Sequence, residues 1–145
     1  MVFVATGFGT GYIPRAPGTF GTLVGIPFFL LLSPMNIAGY LLVISVLFGT
    51  GIFFCQVAEN HFGGHDNKRI VWDEVVGYLV TMTAAPNGLV WVVVGFVLFR
   101  LFDILKPWPI GWVDRHIDGG IGVMLDDVVA GLMAMFCLQS INMFI

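Results

Sequence analysis

The charges of this chain fall in a few short clusters separated by long stretches that carry none. After Arg15 the next charged residue is Glu59, none lies between Glu74 and Arg100, and none follows Asp127. A water-soluble fold needs charge along every exposed face, so this distribution argues against one. Hydrophobic residues make up 58% of the 145 positions and charged residues 10%, where soluble domains average about 25% charged. The same hydrophobicity argues against disorder. A net charge of −3 without any basic run argues against nucleic-acid binding. Cys55 and Cys137 lie in apolar runs and offer neither a disulfide framework nor a zinc spacing. The N-terminus is not a standard signal peptide, because no Lys or Arg precedes its first apolar residues and glycines interrupt them.

A spanning helix needs about 20 largely apolar residues. The charge-free stretch from Ala16 to Ala58 holds two, with Ser33-Pro34-Met35-Asn36 as the turn between them. Segment one covers roughly Thr19 to Leu32 and is interrupted by Pro27; segment two is Ile37 to Val57. Segment three runs from Ile70 to Ala85 and stops at Pro86-Asn87-Gly88. Its 16 residues reach about 24 Å, short of a hydrocarbon core of about 30 Å. Segment four runs from Leu89 to about Leu105, before Pro107, and segment five from Val123 to the C-terminus. Lys106 to Gly122 reads as a polar stretch. The fold class is therefore all-α: one membrane-embedded domain over residues 1–145, built of four to five hydrophobic helices.

With five crossings, Arg15, Lys68, Arg69, Arg100, Lys106 and Arg115 all fall on one side. The positive-inside rule makes that side cytoplasmic. All nine acids share it. Asp73 and Glu74 fall in the first turn of segment three, and Asp103 in the last turn of segment four. Asp126 and Asp127 fall near the start of segment five, and Asp66 just before segment three. A carboxylate at mid-membrane costs about 2.5 to 3.5 kcal/mol, less near the interface, so such groups point to function.

A structural explanation competes with that one. Helix dipoles favour acids at N-termini by about 0.3 to 1 kcal/mol, and Arg100 can simply pair with Asp103. One acid per helix would fit it. Two adjacent acids on each of two helices exceed it, because neighbouring side chains diverge by about 100° on a helix. Gly77 lies one turn beyond Asp73, and Gly131 one turn beyond Asp127. Small residues let membrane helices approach closely, which would gather Asp73, Glu74, Asp103, Asp126 and Asp127 at one end. Clustered carboxylates need cations, and hard oxygen donors suit Mg²⁺, Mn²⁺ or Ca²⁺.

Arg100 and Lys106 flank Asp103 and supply positive charge beside the acids. Arg15 sits in a glycine-rich stretch, Thr6-Gly7-Phe8-Gly9-Thr10-Gly11 to Gly21, whose backbone N–H groups suit an anion. No Gly-Lys-Ser/Thr follows, so it is not a nucleotide P-loop. His65-Asp66 precedes Asp73-Glu74 by eight residues. Trp72, Trp108 and Trp112 read as interfacial anchors before head-group contacts. Acids, a metal and basic residues at a membrane face suggest phosphoryl chemistry on a lipid head group. The spacings of cysteine-dependent, haloacid-dehalogenase-type and histidine-dependent phosphatases are missing, as is the CDP-alcohol transferase signature.

Four blocks carry a resemblance: TGFGTGYIPRAPGTFGT at 6–22, HDNKRIVWDE at 65–74, FRLFDILKPWPI at 99–110 and DRHIDGGIGVMLDDVVAG at 114–131. In them the chain resembles the phosphatidylglycerophosphatase A family of bacterial inner-membrane lipid phosphatases. The chain opens almost directly on the first block, so a leading amphipathic anchor is not expected. The resemblance implies an all-helical fold and Mg²⁺-dependent hydrolysis of phosphatidylglycerol phosphate to phosphatidylglycerol and phosphate. The expected catalytic set is Asp73, Glu74, Asp103, Asp126 and Asp127. Asp73, Glu74, Asp103 and Asp127 are the expected metal ligands. Arg15, His65, Asp66, Arg100, Lys106 and Arg115 are expected on the substrate. The expected partners are the phospholipid substrate and the membrane, with no obligate protein partner and an active site facing the cytoplasm. Another lipid-phosphate hydrolase, a small ion-coupled transporter and a non-catalytic assembly subunit are the alternatives.

Overall fold

The computed structural model describes residues 17–62, 72–86, 88–117 and 119–144, and all the regular structure among them is helical. The helices are α1 (Pro17–Leu32), α2 (Ile37–Phe62), α3 (Trp72–Thr81), α4 (Leu89–Leu105), α5 (Ile110–His116) and α6 (Gly119–Phe144). α1 opens on Pro17, whose fixed φ suits a first helical position. The α1–α2 turn falls where the Ser-Pro-Met-Asn motif predicts it. Asn36 Oδ1 accepts the Gly39 N–H at 2.8 Å and so caps α2.

Among the described residues, two helices are long and apolar enough to cross a membrane, over Ile37–Val57 and Met124–Phe144. Large apolar side chains cover the outside of the bundle; Leu31, Leu42, Val46, Val97 and Phe136 are all exposed. A water-soluble monomer does not present apolar surface of that extent. The protein is an all-helical membrane bundle, as the charge-free stretches predict.

α3 is the centre of the bundle. It packs against α1, α2, α4 and α6, and nine of its ten residues are buried. Among the described residues of the predicted 16-residue segment, the helix runs from Trp72 to Thr81, about 15 Å, and stops four residues before the predicted end at Ala85. Its early end has a visible cause. Thr81 and Thr83 bond back to the carbonyls of Gly77 and Leu79, and Ala84 turns left-handed at φ 57.

Carbonyls left open where a helix stops inside a bundle need partners. Tyr40 of α2 donates its hydroxyl to Leu79 O at 2.5 Å. Gln139 of α6 donates to Ala84 O at 2.9 Å. Tyr78 ties α3 to α4 through Val92 O at 3.0 Å.

Two further sequence expectations are corrected. The polar stretch 106–122 contains α5 and the first turn of α6. The helix begins at Gly119 rather than Val123, because tertiary packing overrides the poor helix propensity of glycine. Trp72 is not interfacial. It is 4% exposed, wedged edge-on against Phe28 and Phe54 and over Gly51, where any Cβ would come within 2.8 Å of its ring.

Candidate active site

The carboxylates converge where α3 begins, α4 ends and α6 completes its second turn. α3 contributes Asp73 and Glu74 from its first turn. α6 contributes Asp126 and Asp127, and α4 contributes Asp103 from its last turn. What brings them together is a glycine crossing. A Cβ on Gly77 would meet Asp127 O at 2.8 Å, and one on Gly131 would meet Gly77 O at 2.5 Å. The two backbones therefore touch, as the predicted small-residue contact requires.

The acids divide into two groups. One carboxylate oxygen each from Asp73, Glu74 and Asp127 lies within 4.8 Å of the others. Asp73 Oδ1, Glu74 Oε2 and Asp127 Oδ2 are buried and have no hydrogen-bond partner among the described residues. Buried polar atoms without partners are rare because each forfeits its hydration. Three hard oxygen donors, with no nitrogen or sulfur among them, fit a hard divalent cation.

Asp103 and Asp126 instead face the cations. Arg100 Nη1 donates to Asp103 Oδ2. Lys106 Nζ lies 3.0 Å from Asp126 Oδ2 and 3.6 Å from Asp103 Oδ1. Asp103 sits at the negative end of the α4 dipole, the unfavourable end for an acid, and the two cations offset that. Lys106 follows α4 with a left-handed φ of 48° and closes it through its own N–H to Phe102 O at 2.9 Å. Burial by itself would lower the pKa of this ammonium. Asp126, Asp103 and Asp127 outweigh the burial and hold it above the ordinary lysine range. Arg100 keeps its buried Nε without a partner among the described residues.

This arrangement revises the sequence expectations in detail. Three of the four expected metal ligands come together; Asp103 joins the cation pair. Asp126 and Asp127 are not in the first turn of α6 but two turns inside it, so the helix dipole does not account for them. Arg100 and Lys106 stand beside the acids as expected. Arg115 is exposed on α5, with its guanidinium over Gly111, and makes no ion pair among the described residues. Arg15, His65 and Asp66 lie outside the described residues. Sequence reasoning missed the positioning role of Trp72, which fixes the start of α3 beside Asp73. The signal for it was Gly51, a small residue facing a large one across two helices.

A sequence profile of the family described as Phosphatidylglycerophosphatase A matches residues 3–142. The protein named Phosphatidylglycerophosphatase A in Escherichia coli (strain K12) is 44% identical over 140 residues, covering 96% of this chain and 81% of that protein. The protein of the same name in Haemophilus influenzae is 40% identical over 141 residues, covering 96% of this chain and 86% of that protein. A Bacteroides thetaiotaomicron protein named Putative phosphatidylinositol-3-phosphatase is 38% identical over 139 residues, covering 90% of this chain and 86% of that protein. No solved structure matches the chain.

Proposed function

The chain belongs to the phosphatidylglycerophosphatase A family, and we propose that it hydrolyses phosphatidylglycerol phosphate to phosphatidylglycerol and inorganic phosphate with Mg²⁺ at the acidic cluster. The observation that carries this reading is the pairing of two features. Three carboxylates, Asp73 and Asp127 buried and Glu74 half-buried, with oxygens within 4.8 Å of one another, stand beside an Arg–Lys pair. The first suits a divalent cation and the second a phosphate.

Asp73, Glu74 and Asp127 would hold the metal. The bound cation supplies Lewis acidity and a water of lowered pKa. The residues of the chain do the rest. Arg100 and Lys106 bind the phosphate monoester, and a guanidinium can grip it through two parallel bonds. Asp103 and Asp126 hold these two cations in place, so the phosphate finds them already oriented. As the water oxygen bonds to phosphorus, a carboxylate of the cluster takes its proton. The bond from phosphorus to the glycerol oxygen breaks, and that oxygen receives the proton from the carboxylate and leaves as the head-group hydroxyl. Burial of the cluster keeps bulk water from competing with these contacts.

The gathering of basic residues at this end of the sequence layout supports a site facing the cytoplasm at the bacterial inner membrane, by the positive-inside rule. The Bacteroides thetaiotaomicron relative carries a different head group in its name, which makes another phosphomonoester lipid the second reading. An ion-coupled transporter fits less well, because the acids gather at one end and not along a path.

The test is phosphate release from purified protein in detergent, with and without Mg²⁺, beside Asp73→Asn and Asp127→Asn. Mg²⁺-dependent release that both folded variants lose is the expected result. No release by folded wild type from several lipid phosphates would overturn the phosphatase reading.

A further inference from the structure

Below the cation pair, the seam between α4 and α6 carries an apolar groove of about 280 Å³, lined by Phe102, Leu132, Met133, Phe136 and Cys137. Its position is set by helical spacing. Phe102 lies one turn before Lys106 on the same face of α4, and Lys106 reaches across to Asp126 on α6. Met133 lies seven residues after Asp126, two turns further along the same face of α6. The Lys106–Asp126 bridge therefore stands at the head of the groove. From Asp126 to Cys137 the helix descends about 16 Å, roughly half of a hydrocarbon core about 30 Å thick.

We propose that this groove holds an acyl chain of the lipid substrate whose phosphate end lies at Lys106 and the acidic cluster. The inference rests on the reading of the site as a lipid phosphatase and extends it to the apolar part of the substrate. Three observations on the molecule favour this occupant. The groove begins one turn from the cation that faces the acids, since Phe102 on its wall accepts the Lys106 N–H at 2.9 Å. Its lining contains no charged or hydroxyl-bearing side chain, so it offers nothing to a head group. Its α6 wall, Leu132 to Cys137, covers about 8 Å and starts about 9 Å below Asp126, so it lies within the depth of one leaflet. A lipid held this way presents its head group to the cluster at a fixed height, which restricts the phosphate to productive positions.

The experiment compares phosphate release from dioleoyl and dihexanoyl phosphatidylglycerol phosphate by wild type, Leu132→Trp and Val97→Trp. Leu132 is half-exposed on the groove wall, and Val97 is exposed on α4 outside it. The indole at Leu132 fills the groove. The ratio of kcat/KM for the long-chain over the short-chain lipid should fall about ten-fold in Leu132→Trp, about 1.4 kcal/mol of lost discrimination. It should stay at the wild-type value in Val97→Trp. An unchanged ratio in Leu132→Trp, or an equal fall in both variants, overturns the proposal.

A second readout does not require turnover. Protein in nanodiscs of dioleoyl phosphatidylcholine is irradiated with a phosphatidylglycerol carrying a diazirine in its acyl chain. Labelling should concentrate in residues 132–137 over the exposed Val93 and Val97 face and be lost in Leu132→Trp. Uniform labelling overturns the groove. Absent phosphate release with groove-specific labelling overturns the phosphatase reading alone.

Discussion

The carbonyl oxygen of Gly77 lies 2.5 Å from the point that a Cβ on Gly131 would occupy. No real side chain fits at that distance, so α3 and α6 touch backbone to backbone. The contact lies one turn from Asp73 on α3 and one turn from Asp127 on α6. It therefore sets the distance between two of the three grouped carboxylates.

Gly131→Ala should force the two helices apart. Overpacking of this kind costs about 1 to 3 kcal/mol, and the obstacle is backbone that cannot rotate away. Thermal unfolding in detergent should show a lower Tm. Phosphate release should fall by at least about ten-fold, equivalent to about 1.4 kcal/mol. An alanine variant with wild-type Tm and activity would disprove the crossing.

Asp127→Asn should separate metal binding from folding. The variant removes one carboxylate from a tightly grouped set of three, so without metal its Tm should equal or exceed that of wild type. Adding Mg²⁺ should raise the wild-type Tm by mass action, since the ion binds only the folded site. That rise should be absent in Asp127→Asn. A metal-dependent rise of equal size in both proteins would place the ion elsewhere.

Asp126→Asn should behave differently from its neighbour, because Asp126 Oδ2 pairs with Lys106 at 3.0 Å, while the oxygens grouped within 4.8 Å come from Asp73, Glu74 and Asp127. The Mg²⁺-dependent rise in Tm should persist. KM for the lipid phosphate should increase, as Lys106 loses the partner that orients it. Losing the metal response in Asp126→Asn would merge the two groups into one.

Tyr40→Phe and Tyr78→Phe should cost stability without chemistry. Each removes a buried hydroxyl that satisfies a carbonyl, at Leu79 and Val92 respectively. A typical loss is about 1 kcal/mol, more where the carbonyl is left without a partner. Tm should drop while kcat in the folded fraction is unchanged. A fall in kcat at constant Tm would give these tyrosines a role at the site.

The sequence alone determined the membrane class of this chain, because charge cannot be hidden in lipid and its absence from long stretches is visible residue by residue. It also determined the α1–α2 turn at Ser33–Asn36 and the stop of α4 before Pro107. Those are local consequences of proline geometry, capping and hydropathy. It supplied the glycines at 77 and 131 as candidates for close approach, since spacing by one turn from an acid is a one-dimensional property.

Only the tertiary structure decided which acid serves which partner. Asp126 and Asp127 are neighbours in the chain, yet they point about 100° apart on α6, one toward Lys106 and the other toward Asp73. Asp103 reads as a metal ligand in sequence, and the bundle shows its carboxylate paired with Arg100 and Lys106 beside the other acids. The stop of α3 at Thr81, before Ala85, was also hidden. Thr81, Thr83 and a left-handed Ala84 turn the chain there, and Tyr40 and Gln139, distant in sequence, bond the carbonyls of Leu79 and Ala84 around that end. Hydrogen-bond partners for a buried helix terminus come from other elements, so they become visible only once the bundle is assembled.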